Sequence, residues 1–163
     1  MITKILEITY SEYSSVNELP QKDANLLNAA VEALNGSYAP YSNFNVGAAV
    51  LLDNGVIVKG ANQENIAYPS GLCAERTALF SAHANYPDNK VVSIALTSSQ
   101  NGLLLATPPF PCGACRQVMA QTQTRNGSPL KIIIGGSDKI LVFNSVESLL
   151  PFIFASEEVG KHE

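Results

Sequence analysis

Two cysteines three residues apart stand in the run Pro111-Cys112-Gly113-Ala114-Cys115, where a proline-rich loop gives way to a helical pattern. A Cys-x-x-Cys in that setting has three readings: half of a zinc site, a redox pair or a coincidence. Cys73 begins a second helical stretch, also after a loop, one that holds Pro69 and Gly71. Alone it would read as a small buried hydrophobe. Two helix starts that both carry thiols suit a metal better, because the positive end of the helix dipole favours thiolate over thiol. A redox pair needs no third cysteine in the same setting. Three cysteines also cannot all pair as disulfides.

A structural zinc takes four protein ligands, whereas a catalytic zinc takes three and leaves a position for water. No fourth cysteine exists, and the two histidines are His83 and His162. His83 lies ten residues beyond Cys73 on the same helical stretch, roughly 15 Å along its axis at ~1.5 Å per residue. It is therefore read as a surface or interface histidine, and His162 falls in a charged tail. The spacing predicts an open, catalytic site holding one zinc.

Glu75 follows Cys73 by two residues, within the first helical turn, where side chains lean toward the N-terminus. A carboxylate there can take a proton from an activated water without ligating the metal. In isolation it would only complement the helix dipole. Three thiolates and one Zn²⁺ sum to a negative charge, which weakens the metal as a Lewis acid. The adjacent Arg76 is a candidate to offset that charge and orient the sulfurs.

The elements that must position these groups can be read from periodicity. Leu26, Leu27, Ala30, Val31 and Leu34 recur at helical spacing between Lys22 and Asn35, and Asn35-Gly36 supplies the stop. Val46 to Leu52 and Val56 to Ala61 are β-rich and flank Asp53-Asn54-Gly55, a hairpin signal. Cys73 to about Ala84 and about Gly113 to Thr122 read as helices. Val91 to Thr97 is a near-continuous apolar strand, expected to be buried on both faces. Leu130 to Ile134 and Ile140 to Phe143 are joined by a link too short for a parallel crossover, so they are expected to be antiparallel. Ser145 can cap a last short helix that Pro151 ends. Residues 1–20 give no decision between strand and helix. The expectation is an α/β sandwich with a five-stranded mixed sheet in one domain.

Composition narrows the partners. The chain has 163 residues, 46% hydrophobic and 15% charged, enough for one sizeable core. The net charge of −4 and ten dispersed Lys and Arg show no basic groove for a polynucleotide backbone. A small-molecule substrate fits better than DNA or RNA. No apolar run approaches the ~18 residues of a membrane span. Met1 to Tyr13 lacks the apolar block of a signal peptide, so a cytoplasmic location is expected.

The runs Cys73-Ala74-Glu75-Arg76 and Pro111-Cys112-Gly113-Ala114-Cys115-Arg116-Gln117 resemble the zinc-dependent deaminases in their three-cysteine form. Tyr38 to Ala49, Asn62-Gln63-Glu64-Asn65, and Leu149-Leu150-Pro151 with Phe154 are similar to further segments of the cytidine deaminase family. The resemblance covers most of residues 22 to 158. It implies a three-layer sandwich with helices on both faces, an N-terminal extension over 1–21, a catalytic domain over 22–158 and a tail over 159–163. It implies zinc held by Cys73, Cys112 and Cys115, and hydrolysis of cytidine or deoxycytidine to uridine or deoxyuridine and ammonia, as in pyrimidine salvage. Zinc-bound hydroxide would attack C4, with Glu75 shuttling the proton. Phe44 would lie against the pyrimidine, Asn62 and Glu64 would bind the ribose 3′-hydroxyl, and the Ala74 N–H would hold the pyrimidine carbonyl. Tyr68 and Phe154 would complete a neighbouring pocket in a homotetramer. Ile66 and Phe110 depart from the family's usual Ala and Ser. Rival readings are the same chemistry on another aminated heterocycle or on a polynucleotide, a non-catalytic zinc-stabilised binding module, and a redox protein.

Overall fold

The apolar runs pair into one mixed sheet in the computed structural model, which describes residues 1–155. The expected tail over 159–163, with His162, lies outside the described residues. In chain order the elements are β1 (Ser11–Tyr13), α1 (Gln21–Ala33), β2 (Phe44–Leu52), β3 (Ile57–Ala61), α2 (Ala74–Asn85), β4 (Val91–Gln100), β5 (Leu103–Leu104), α3 (Gly113–Asn126), β6 (Lys131–Gly135) and β7 (Ile140–Phe143). Among the described residues, no helix is long and apolar enough to cross a membrane.

Among the described residues, the expected five strands are seven. The sheet runs β1-β7-β6-β4-β2-β3, with β5 paired to β4. β4 and β6 are parallel, with α3 in their crossover, and every other pair is antiparallel. The two strands absent from the sequence reading are three and two residues long. Neither is long enough to show an alternating pattern, so only their pairing identifies them. β1 pairs Ser11 with Val142 and Tyr13 with Ile140, which carries the sheet into the N-terminal segment left undecided by sequence. The short 3-10 turn Val146–Ser148 follows Ser145, whose side chain makes no capping hydrogen bond.

Alternation along β2 divides the core. Ala48, Val50 and Leu52 face α2 and α3 together with Ile94, Leu96, Ile132 and Ile134. Ala49 and Leu51 face α1 together with Ala95 and Ile133. Helices thus cover both faces of the sheet. Two glycines let them lie close. A Cβ on Gly47 would stand 2.1 Å from the Ala30 carbonyl oxygen of α1, and one on Gly60 would stand 2.4 Å from the Ala78 nitrogen of α2. The second approach fixes the start of α2 over β3, beside the loop that carries Asn62 and Glu64.

Candidate metal centre and active site

Cys73 and Cys112 are the N-cap residues of α2 and α3, both extended in backbone, and Cys115 lies in the first turn of α3. Each cap carbonyl accepts the first intrahelical bond, Cys73 from Thr77 N and Cys112 from Arg116 N, each at 3.0 Å. The two helix starts converge so that Cys73 Sγ is 4.0 Å from Cys112 Sγ, and Cys112 Sγ is 3.5 Å from Cys115 Sγ. All three sulfurs lie within 4.8 Å of one another, and none is in a disulfide.

These separations fit zinc. With Zn–S bonds of about 2.3 Å and tetrahedral angles, neighbouring sulfurs lie about 3.8 Å apart. The trio could therefore hold one ion with little movement. Cys115 is fully buried, Cys73 half-buried and Cys112 exposed, so a fourth position on the exposed side can face a ligand. His83 does not approach the cluster. It packs between α2 and α3, with Nε2 3.2 Å from Thr122 Oγ1. The Thr122 hydroxyl donates to the Val118 carbonyl, so the ring nitrogen donates to the hydroxyl.

The charge pattern also suits a cation. A hydrogen bond from Cys115, strengthened by Arg76, holds the Cys73 thiol down at about 5, against partial burial. Arg76 Nη2 donates to Cys73 Sγ over 3.5 Å. Cys115 moves the other way, because its S–H keeps its proton while donating a hydrogen bond to Cys73, and because it is buried beside Glu75. Among the described residues, Arg76 Nε is a buried donor with no partner. Glu75 is 4% exposed. Burial raises its carboxyl above the ordinary range, and the neighbouring Cys73 charge raises it further.

One cavity of about 800 Å³ brings most of the expected residues together. Cys73, Ala74, Glu75, Arg76 and Cys112 form one side of it. Phe44, Asn62, Glu64 and Tyr68 line the rest, with Phe110 at the wall. Cys115 lies behind the lining. Ile66 and Phe154 are not part of it; they are exposed, and the Phe154 carbonyl accepts a hydrogen bond from Gln117 Nε2.

Asn62 and Glu64 are fixed by the chain before they meet any ligand. Asn62 Oδ1 accepts from Ser37 Oγ at 2.5 Å and from Val46 N at 2.8 Å, and Nδ2 donates to the Phe44 carbonyl at 2.9 Å. Glu64 Oε2 accepts from the Tyr41 and Ser42 amides, and Oε1 from Ser42 Oγ. The Arg116 guanidinium ties the Pro111 and Leu149 carbonyls together, each at 2.8 Å, and so braces the loop before Cys112. Sequence reasoning assigned no role to Ser37, Ser42 or Arg116. Ser42 and Arg116 stand inside the motifs quoted above, but the partners that tie them to the site, Glu64 and Leu149, lie 22 and 33 residues away.

Comparison with known proteins agrees with this geometry. A family model described as the cytidine and deoxycytidylate deaminase zinc-binding region matches residues 20–128. A cytidine deaminase of Halalkalibacterium halodurans is 40% identical over 135 residues, 83% of this chain and 96% of that protein. One of Mycobacterium tuberculosis is 37% identical over 115 residues, 70% of this chain and 80% of the relative. A crystal structure of cytidine deaminase from Burkholderia pseudomallei aligns with a TM-score of 0.64 at 39% identity, covering 80% of this chain and 97% of that one.

Proposed function

The chain belongs to the cytidine and deoxycytidylate deaminase family and is a zinc-dependent hydrolytic deaminase, and we propose that it converts cytidine, and 2′-deoxycytidine, to the uridine product and ammonia. The observation that carries this reading is that a cluster of three thiols, two of them on the cavity wall, meets a buried carboxyl and the Asn62–Glu64 pair at one cavity.

Cys73, Cys112 and Cys115 would hold the zinc. When bound, zinc supplies a Lewis acid that brings the pKa of a water near neutrality. Burial leaves Glu75 a better base than an exposed carboxylate. Glu75 accepts the proton that water loses on adding to C4 and returns it to ring N3. A second proton passes through the same carboxyl to the departing 4-amino group. Ala74 is the first residue of α2, so its N–H has no intrahelical acceptor and can donate to the pyrimidine carbonyl. Phe44 gives the base a flat apolar wall. Arg76 offsets the excess charge of three thiolates through its bond to Cys73.

Glu64 and Asn62 take the sugar. Among the described residues, Arg76 is the only cation lining the cavity, and it is turned to Cys73. That favours a nucleoside over a 5′-phosphate. The acidic balance of the chain disfavours a polynucleotide. Tyr68 and Phe154, 77% and 64% exposed in the single chain, would complete a neighbour's pocket in a homotetramer. Nucleoside salvage of this kind fits the cytoplasm, and residues 22–158 fit one catalytic unit.

An ultraviolet assay on cytidine, 2′-deoxycytidine, deoxycytidylate and free cytosine tests the reading. Turnover of the two nucleosides, abolished by a chelator and restored by zinc, supports it. Turnover confined to deoxycytidylate or to the free base overturns it.

A further inference from the structure

Ser42 makes three of the pocket's internal hydrogen bonds, as many as the side chain of either residue assigned to the sugar. Its hydroxyl donates to Glu64 Oε1 at 2.5 Å and accepts from the Phe44 amide at 3.0 Å, while its own amide donates to Glu64 Oε2 at 3.3 Å. The Tyr41 amide donates to that same Oε2 at 2.9 Å. The turn that aims two successive amides at one oxygen continues through Asn43, which adopts a left-handed φ of 54° and is pinned by its side chain to Asn101. One hydroxyl thus couples the residue that walls the base to the carboxylate that faces the sugar.

Counting hydrogen bonds shows what is left for a ligand. A carboxylate offers about four acceptor positions. Ser42 and Tyr41 fill three at Glu64, leaving one. The Asn62 carbonyl already accepts two bonds, and one of its two N–H groups is spent on Phe44. One donor and one acceptor remain, which a single hydroxyl can satisfy by accepting from Asn62 and donating to Glu64. The bonds from Ser42 and Tyr41 also hold the Glu64 carboxyl below the ordinary range, so it stays an acceptor.

We infer that Ser42 is a positioning residue for the nucleoside sugar: it fixes the Glu64 carboxylate so that its one open acceptor position meets a single sugar hydroxyl, in register with the base against Phe44. The inference rests on the assignment of Glu64 to the sugar made above. Ser42 touches no reacting atom in this scheme. It acts through Glu64, and its effect must depend on the hydroxyl that Glu64 receives.

The test is steady-state kinetics of the zinc-loaded enzyme and its Ser42→Ala and Ser42→Thr variants on cytidine and on 3′-deoxycytidine, with zinc content and thermal midpoint as controls. Ser42→Ala is expected to raise KM for cytidine about fivefold to tenfold, less than the loss of a direct hydrogen bond to a charged group because Glu64 keeps its two amide bonds, with kcat within about twofold. On 3′-deoxycytidine, which lacks the partner hydroxyl, the same variant should shift KM less than about twofold. Ser42→Thr keeps the hydroxyl and should restore the cytidine KM. If Ser42→Ala does not fold, Ser42→Cys, near in size and a poor donor, gives the same reading. Equal losses on the two nucleosides overturn the inference, as does a parent enzyme with the same KM for both. A zinc-loaded parent inert toward both nucleosides would remove the reading beneath it.

Discussion

Arg76 reaches back one turn of α2 to Cys73, its Nη2 3.5 Å from the sulfur, and so places a permanent cation against the thiol that caps its own helix. The dipole of that helix points the same way. Arg76→Ala removes the cation and leaves all three sulfurs. Its zinc affinity, read by competition with a chromophoric chelator, is expected to fall about tenfold to a hundredfold. An unchanged affinity would show that the contact does nothing for the metal.

The hydrogen bond from Cys115 to Cys73, with Arg76 in support, sets the order of thiol reactivity. In chelated protein Cys73 ionises at about 5, while Cys115 is pushed up and buried. Iodoacetamide near neutral pH, followed by peptide mass analysis, should modify Cys73 well before Cys115, because the thiolate is the nucleophile. Zinc should protect both. Comparable labelling of the two would contradict the proton arrangement between them.

Gly47 tests the packing that carries α1. A methyl group there meets the Ala30 carbonyl at 2.1 Å, and backbone cannot move aside as a side chain can. Gly47→Ala is expected to cost about 1–3 kcal/mol in urea unfolding. A neutral result would mean that α1 does not lie as close to β2 as described.

A second stability prediction concerns acid. Gln123 Nε2 donates to Glu147 Oε1 at 2.7 Å, and this bond holds the Glu147 carboxyl below its ordinary value. A depressed folded value means that the unfolded chain takes up the proton first as pH falls. The contribution is therefore present at neutral pH, begins to fade below the unfolded value, and is gone below the folded one. Glu147→Gln should lower the urea midpoint slightly at about pH 7, with the difference from the parent shrinking toward about pH 3. A pH-independent difference would remove the link.

What could be read from the chain, and what could not, divides by the distance between partners. Cys73, Glu75, Cys112 and Cys115 were legible because each sits at a helix start, where residue type and spacing fix its direction. The hairpin at Asn54-Gly55 and the antiparallel β6–β7 pair were equally local. β1 was not, since three residues carry no period and become a strand only against Val142 and Ile140, far along the chain. β5 failed for the same reason. Ser37 and Ser42 look like ordinary loop serines until folding sets them against Asn62 and Glu64. Phe154, which the family resemblance assigns to a neighbour's pocket, lies outside the single chain's own cavity.

The central claim is that the Glu75 carboxyl moves protons beside a three-thiol zinc site without holding the metal. Its most direct measurement is the zinc content and cytidine turnover of Glu75→Gln, which keeps shape and polarity and loses the titrating oxygen. The account expects about one zinc per chain and a kcat lower by about a hundredfold to ten-thousandfold. A zinc-loaded variant that turns over cytidine within about tenfold of the parent would contradict it.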